Sequence, residues 1–483
     1  MSVKNNFFWN LLLTSCNYIF PLITYPYVSR VLGVDKIGIC NFVDGIITYF
    51  ILLSTLGITS YGVREIARVK NDEQKRNYVF SNLIVINAIG TLVASLSLIV
   101  CTYTIPSLAP YKDFLLVGLV KLVFYMFTIE WFFQGMEQFR YITIVSISIR
   151  CIYVVLVFLL VHSPNDAIIY FGLTVLTSLL TAAFNWYYSR KSRRIILKDL
   201  NIRVFLIPVL TFGYYRILTS MYTTFNVVFL GFSANDTEVG YFTTATKLYS
   251  IIMGVFTAFT TVMIPRVSEL LSFGEKEQLQ RIYNQTIQLL VILSLPIIFY
   301  CLFCTEDIIF LLSGKGYEGA FIPFKIVIVL LLIIGMEQIV IQQFLMAATS
   351  SNYSIVKLST VGAVVGILFN IVLTPSLGAI GSSISWGVSE ISVLILGLYF
   401  LKMITGIHFK VKQLSQDFIW ALLYIPVLFL VRILNLGVVS NLLLSALSLS
   451  IVFVTINFLI RKNEILCGMS TTLLSNLNSL IKR

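Results

Sequence analysis

Stretches of twenty or more residues with almost no charge recur along this chain, separated by short gaps that hold most of its Lys and Arg. A helix needs about 20 mostly apolar residues to cross the hydrocarbon core of a bilayer. Fourteen segments meet that length: 7–29, 38–59, 78–104, 113–134, 140–162, 167–188, 204–230, 240–263, 282–304, 322–348, 354–374, 378–401, 415–434 and 439–460. The last pair can also be read as an appendage to a body of twelve. Only 12% of the residues are charged and 58% are hydrophobic, whereas a water-facing domain carries about 25% charged residues. That balance excludes a soluble enzyme, a disordered scaffold and a secreted disulfide module. The expected fold class is an all-α polytopic membrane protein. The opening MSVKNNFFWNLLL has no small-residue cleavage pattern after it, so it reads as a retained first helix.

Lys and Arg also set the orientation, because cytoplasmic loops accumulate them. With the N-terminus inside, 24 of the 34 basic residues fall in cytoplasmic segments. Six lie outside: Arg30, Lys36, Lys112, Lys315, Lys325 and Arg432. Both termini are therefore expected in the cytoplasm. The net charge of +12 reads as topogenic charge facing an anionic leaflet, and no nucleic acid partner is implied.

The most basic loop, SRKSRRIILKDLNIR at 189–203, divides the first twelve helices six and six. The turn LGVDKIG (32–38) resembles LGFSANDTEVG (230–240), and 26 residues separate both Gly38 from Arg64 and Gly240 from Arg266. FQGMEQFRY (133–141) and LMAATSSNY (345–353) hold corresponding places in the two halves. The expected organisation is a six-helix lobe at 1–190, a basic cytoplasmic linker at 191–203, and a second lobe at 204–402. An additional helix pair at 413–462 and a cytoplasmic tail at 463–483 follow. Halves with an even number of helices keep one orientation, so a pseudo-two-fold axis along the membrane normal is expected, with a substrate path between them.

Four basic residues remain inside the spans: Lys121, Arg150, Arg216 and Lys247. Intramembrane charge is expensive and normally faces a polar cavity. Helix rise places all four at one level, about 10–15 Å below the outer surface. A cavity lined by them is cationic, and its natural guest is an anion such as a phosphate. Outward snorkelling, or pairing with Asp44, Glu337 or Glu390, is the structural alternative. The same three acids are candidates for carrying a coupling proton or sodium ion. Glu130 and Asp35 lie near helix ends and need no special role. Trp9, Trp131, Trp186, Trp386 and Trp420 read mostly as an interfacial belt.

Catalytic constellations are absent. There is no phosphate-loop motif, no H-E-x-x-H and no D-x-D, and His162 and His408 lie far apart. Cys301 and Cys304 form a C-x-x-C inside a membrane helix without a second pair, which favours packing over metal or redox chemistry. No catalytic residue, metal or cofactor is expected.

PLITYPYVSRVLGVDKIGICNF (21–42), YGVREIAR (61–68), EWFFQGMEQFRYIT (130–143) and NIVLTPSLGAIGSSIS (370–385) resemble the Wzx-type polysaccharide biosynthesis flippases. These belong to the multidrug/oligosaccharidyl-lipid/polysaccharide exporter superfamily, whose MATE-like fold the resemblance implies. It runs from the first helix through the twelfth; Asn370, Pro375, Gly378 and Gly381 form its widest-shared pattern, and the last helix pair matches no family motif. It implies movement of an undecaprenyl-diphosphate-linked oligosaccharide (an O-antigen, capsule or exopolysaccharide unit) from the cytoplasmic to the periplasmic leaflet of a bacterial inner membrane. Arg30 and Arg64 match family motifs and rank behind the four intramembrane cations as substrate-binding residues. Expected partners are the lipid-linked oligosaccharide, membrane lipids, and a glycan polymerase with other assembly proteins. The alternatives are a cation-coupled multidrug exporter, a peptidoglycan-precursor flippase, and a membrane glycosyltransferase or polymerase.

Overall fold

The computed structural model describes residues 3–198, 200–221, 223–348, 352–408, 411–434, 436–463 and 466–468, and all regular structure among them is helical. The first half contains α1 (Val3–Thr55), α2 (Ile58–Val69), α3 (Glu73–Thr104), α4 (Lys112–Tyr125), α5 (Glu130–Gly135), α6 (Phe139–Leu160) and α7 (Ala167–Ser189). It is followed by α8 (Ile202–Ser220), α9 (Thr224–Ser233), α10 (Asp236–Phe273), α11 (Lys276–Phe303), α12 (Thr305–Ser313) and α13 (Phe321–Glu337). The chain ends with α14 (Asn352–Thr405), α15 (Val411–Ala421), α16 (Tyr424–Ile433) and α17 (Val438–Val454). Of the expected tail 463–483, residues 469–483 lie outside the described residues, as do the side chains of Lys410 and Lys412.

Eleven described segments are long and apolar enough to cross a membrane. Two of them, Phe8–Thr55 and Ser354–Thr405, span 48 and 52 residues, about twice what one crossing needs. Each reverses at a single glycine with non-helical backbone, Gly33 or Gly378. Tyr27 Oη donates to the Val161 carbonyl at 2.7 Å and Cys40 Sγ lies 3.7 Å from the Ala167 carbonyl oxygen, so residues on either side of Gly33 meet one turn. Likewise Thr374 and Ser382 hydroxyls are 3.2 Å apart, where a straight helix would separate them by about 12 Å. On α3 the solvent rule is inverted. Leu92, Leu96 and Val100 form an exposed apolar stripe, while Asn87 and Thr91 are buried.

The described chain forms two compact units. One comprises Met1–Ala258, Ser313–Pro323 and Ser359–Ser389; the other comprises Phe259–Leu312, Phe324–Leu358 and Glu390–Arg483. In the first, the end away from the basic loops is tied together by polar contacts. Thr237 Oγ1 donates to Asp35 at 2.5 Å, and Tyr111 Oη to Asp236 at 2.7 Å. Burial raises the Asp236 carboxyl above its ordinary range. The two turns that resemble one another in sequence touch here. A Cβ on Gly38 would lie 1.8 Å from the Asp236 carbonyl oxygen, and one on Gly240 would lie 2.4 Å from that of Val34. The Asn370–Pro375–Gly378–Gly381 pattern builds the neighbouring hairpin. Asn370 Nδ2 donates to Asn226 at 2.6 Å, and Glu238 accepts the Ala379 N–H at 2.7 Å beside Gly378 at φ 55°.

The basic segment between α7 and α8 is strapped onto α3. Backbone N–H groups of Arg194, Ile196 and Asn201 donate to Asn77 Oδ1, Ser81 Oγ and Asn82 Oδ1 at 2.8, 2.8 and 2.9 Å. Arg193 is buried, with its guanidinium 3.7 Å from the Trp186 ring centroid and 4.7 Å from that of Phe80. Burial pushes Arg193 down to about 10, so it remains charged at neutral pH.

In the second unit the last helix pair docks on α11. Arg432 donates to the Phe303 carbonyl at 2.6 Å and pairs with Glu306 at 3.0 Å, while Asn441 bonds to Asp307. At the other end Arg461 pairs with buried Asp417 at 2.5 Å. The remaining face, with Leu430, Leu447 and Ile451 exposed, is apolar enough to meet lipid.

The Gly38 contact is testable. Gly38→Ala should lower thermal stability in detergent by about 1–3 kcal/mol, the usual cost of overpacking. Gly172 is the control, because a methyl added there would meet nothing within 4 Å. Gly172→Ala should leave the melting temperature unchanged or raised. Equal melting of the two variants would contradict the close approach.

Candidate functional site

Four spans expected as single helices are broken. The segment 38–59 breaks at Leu56, with φ 46°, before α2; 113–134 breaks between α4 and α5 at Ile129, with φ 36°; 204–230 breaks between α8 and α9; and 415–434 parts between α15 and α16. Bulky residues at positive φ are strained, especially a β-branched one. A helix interrupted at membrane depth is tolerated where the freed backbone lines a polar cavity or is buried in protein. Here the first two breaks face one another across a cavity of about 290 Å³. Its wall includes Thr55, Thr59 and Ser60 from the first break, and Tyr125, Thr128, Glu130 and Trp131 from the second.

Arg216 on α8 completes the cavity and donates from Nη1 to Thr59 Oγ1. Asn87 on α3 also lines it, is only 2% exposed, and has a buried Oδ1 with no partner. A buried acceptor left unmatched carries a desolvation cost, and a donor on an entering ligand would remove it. Trp131, expected in an interfacial belt, is buried in this wall and stacks on Phe80 with ring centroids 5.6 Å apart. Glu130, assigned no role from its position in the sequence, also lines the cavity. The signal for both was Glu-Trp beginning a new helix after a break that the apolar run conceals.

The structure distributes the four intramembrane cations over two levels. Lys121 donates to Asp44 at 2.5 Å, and Lys247 lies within electrostatic reach of the same carboxylate, 4.9 Å from the centroid of the Tyr25 ring. Asp44 precedes Thr55, which lines the Arg216 cavity at the end of α1, by 11 residues, which is about 16 Å of helix rise. Arg150 donates to Asn17 Oδ1 at 2.7 Å and interacts with Glu130. Of the four cations, the cavity wall contains Arg216. Four cations against Asp44 and Glu130 leave the group with a formal charge of +2.

Arg30 sits at the far turn, its side chain against Gly314. Arg64 is exposed on α2, pairs with Glu65 at 3.1 Å, and lies 5.2 Å from the centroids of both Tyr61 and Phe212. Neither is in the cavity wall. Glu337 and Glu390 belong to the second unit, where the Glu337 carboxyl is within hydrogen-bonding reach of Glu390. Its Oε2 is buried without a partner, and α13 passes into π-helix at Gln338–Leu345 immediately after it. Among the described residues no group of three metal-ligating side chains is present.

The Asp44–Lys121 pair should behave as a unit. Removing Asp44 alone leaves two ammonium groups close together, whereas removing both partners leaves one. Asp44→Leu should therefore be more destabilising than Asp44→Leu/Lys121→Met, with a coupling of about 1–2 kcal/mol in thermal unfolding. Additive effects would mean that the pair is not coupled.

Comparisons with known proteins bear on the family and the fold. The family model described as "Polysaccharide biosynthesis protein" matches residues 3–271, and the MatE model matches 214–376. A "Putative O-antigen transporter" of Shigella dysenteriae is 24% identical over 410 residues, covering 83% of this chain and 100% of the relative. One of the same description from Escherichia coli (strain K12) is 23% identical, covering 83% and 97%. The fold matches that of lipid II flippase MurJ in an inward closed conformation, with a TM-score of 0.65, 14% identity, and coverage of 94% and 98%. Because the first model spans more than half of its length, this chain belongs to the polysaccharide biosynthesis protein family.

Proposed function

We propose that this protein is a flippase that carries an undecaprenyl-diphosphate-linked oligosaccharide from the cytoplasmic to the periplasmic leaflet of a bacterial inner membrane by alternating access. The observation that carries this reading is the cavity of Arg216 and Asn87, enclosed by two helix breaks in a chain of the polysaccharide biosynthesis family. Guanidinium, hydroxyl and amide groups suit diphosphate and sugar oxygens, and Tyr125 offers a face for a sugar ring. The substrate contacts begin at Arg216. Arg150, Lys121 and Lys247 supply positive potential along the rest of the path, with Arg64 and Arg30 towards its two ends. Glu130 and Asp44 moderate that potential, so a bound diphosphate can also leave. The basic loops face the cytoplasm, as do both termini, and the protein is a transporter with no catalytic step of its own.

The Glu337–Glu390 pair is the candidate for ion coupling. Ionised carboxylates only accept hydrogen bonds, so two within bonding reach are held by a shared proton or a shared cation. Either can be exchanged with the two sides of the membrane as the transporter cycles. Asp44, engaged by Lys121, ranks behind this pair.

The test uses purified protein in liposomes containing labelled undecaprenyl-diphosphate oligosaccharide, with protein-dependent exposure of the glycan across the bilayer as the readout. Arg216→Ala should lower the rate by about tenfold or more, as expected for losing a charged hydrogen bond. Arg216→Lys should retain part of it, and Arg150→Ala should have a smaller effect. Full activity of both alanine variants at normal insertion would remove these cations from the path. Lipid II in a parallel set of liposomes separates this reading from a peptidoglycan-precursor flippase.

Coupling has its own readout. In Glu337→Gln and Glu390→Gln, transport should lose its response to an imposed proton or sodium gradient while downhill exchange persists. An unchanged gradient response in both would dismiss the pair.

A further inference from the structure

A second polar pocket, of about 620 Å³, lies in the first unit at the Lys/Arg-rich end of the helices. It is formed where two turns meet. Lys70 and Asn71 come from the turn after α2, and Met136, Glu137 and Gln138 from the turn between α5 and α6. Arg140 and Tyr141 on the first turn of α6, and Tyr188 at the end of α7, complete it. None of these residues lines the Arg216 cavity.

Its chemistry is that of a headgroup site. Arg140 is exposed, and among the described residues no carboxylate lies within ion-pair distance of it; its guanidinium rests 5.9 Å from the Trp9 ring centroid. Lys70 is paired with Glu137 at 2.9 Å, with the Glu137 side chain half-exposed and that of Lys70 about a third exposed, and such a solvent-accessible pair is held weakly enough to open for a stronger acceptor. Gln138 caps α6 without a side-chain cap bond, and its Oε1 is buried without a partner. The start of a 22-residue helix adds favourable potential for an anion. Tyr141 and Tyr188 stack with centroids 3.9 Å apart and an interplanar angle of 13°, giving the pocket a rigid aromatic wall. Beside it Phe184 and Tyr187 are exposed, the surface expected next to acyl chains at a membrane interface.

We propose that this pocket binds the phosphate of a membrane-embedded lipid, with Arg140 as its principal ligand and the side-chain amide N–H groups of Gln138 and Asn71 donating to the adjoining headgroup oxygens. The site is separate from the transport cavity, and the inference holds whether or not the chain moves an oligosaccharide. Lipid phosphate has two sources in such a membrane, a glycerophospholipid or a polyprenyl diphosphate. Arg suits either because its planar donors meet two phosphate oxygens at once.

Native mass spectrometry of the purified full chain, incubated separately with phosphatidylglycerol and with undecaprenyl diphosphate, tests it. The wild-type protein should retain one molecule of at least one of these lipids, and Arg140→Gln should lower that retention about tenfold. Arg140→Lys should retain an intermediate amount, because a point charge replaces the fork. Arg266→Gln, which removes an exposed cation paired with Glu269 elsewhere in the chain, should leave retention unchanged. Loss of phosphatidylglycerol alone identifies the phospholipid, and loss of undecaprenyl diphosphate alone identifies the polyprenyl lipid; both support the site. Wild-type retention of both lipids by Arg140→Gln, no retention by the wild type, or an equal loss in Arg266→Gln overturns it.

Discussion

Hydrocarbon offers no hydrogen-bond partner, so every backbone amide at membrane depth must be satisfied within the protein. That constraint makes the chain helical, and it gives meaning to the places where helices stop. Leu56 and Ile129 carry positive φ angles that neither side chain favours. Their breaks converge on the cavity where Thr59, Glu130 and Arg216 are assembled. A continuous helix at either position would keep these polar groups on a ladder of ordinary i, i+4 neighbours. The break frees backbone and turns side chains towards one another.

The buried charges follow from the same constraint. Each intramembrane cation has a polar neighbour: Lys121 has Asp44, Arg150 has Asn17, Arg216 has Thr59, and Lys247 has the Tyr25 ring. The carboxylates of Asp44 and Glu130 offset part of the positive charge without cancelling it. On the proposed reading, this balance attracts an anion without trapping it. The second unit contains two carboxyls, Glu337 and Glu390, within hydrogen-bonding reach of each other.

At the far end of the first unit, contacts reach across the sequence repeat. Gly38 and Gly240, placed alike in the two similar turns, allow those turns to meet backbone to backbone. Asn370 and Gly378, which carry a widely shared family pattern, contribute to hairpin geometry and packing against Asn226 and Glu238. These contacts hold helix ends in place.

The sequence by itself determined the class of fold and the chemistry of the family. Hydrophobic length is a local property, so the spans were legible, including the two long helices that reverse at Gly33 and Gly378. The residues of LGVDKIG marked the first of these reversals as a turn. Intramembrane cations were equally legible, because charge within an apolar run needs no structure to be noticed. Their grouping was not. Helix rise measured from assumed ends put Arg216 level with Lys121, while the structure sets it beside Thr59 at the basic end of the bundle. Glu130 and Trp131 were hidden because a left-handed residue at Ile129 leaves no mark in an apolar run. Which cation meets which acid, and which helix opens into a cavity, depends on contacts between segments far apart in the chain. Those contacts exist only after the helices have packed, and the tertiary structure alone decided them.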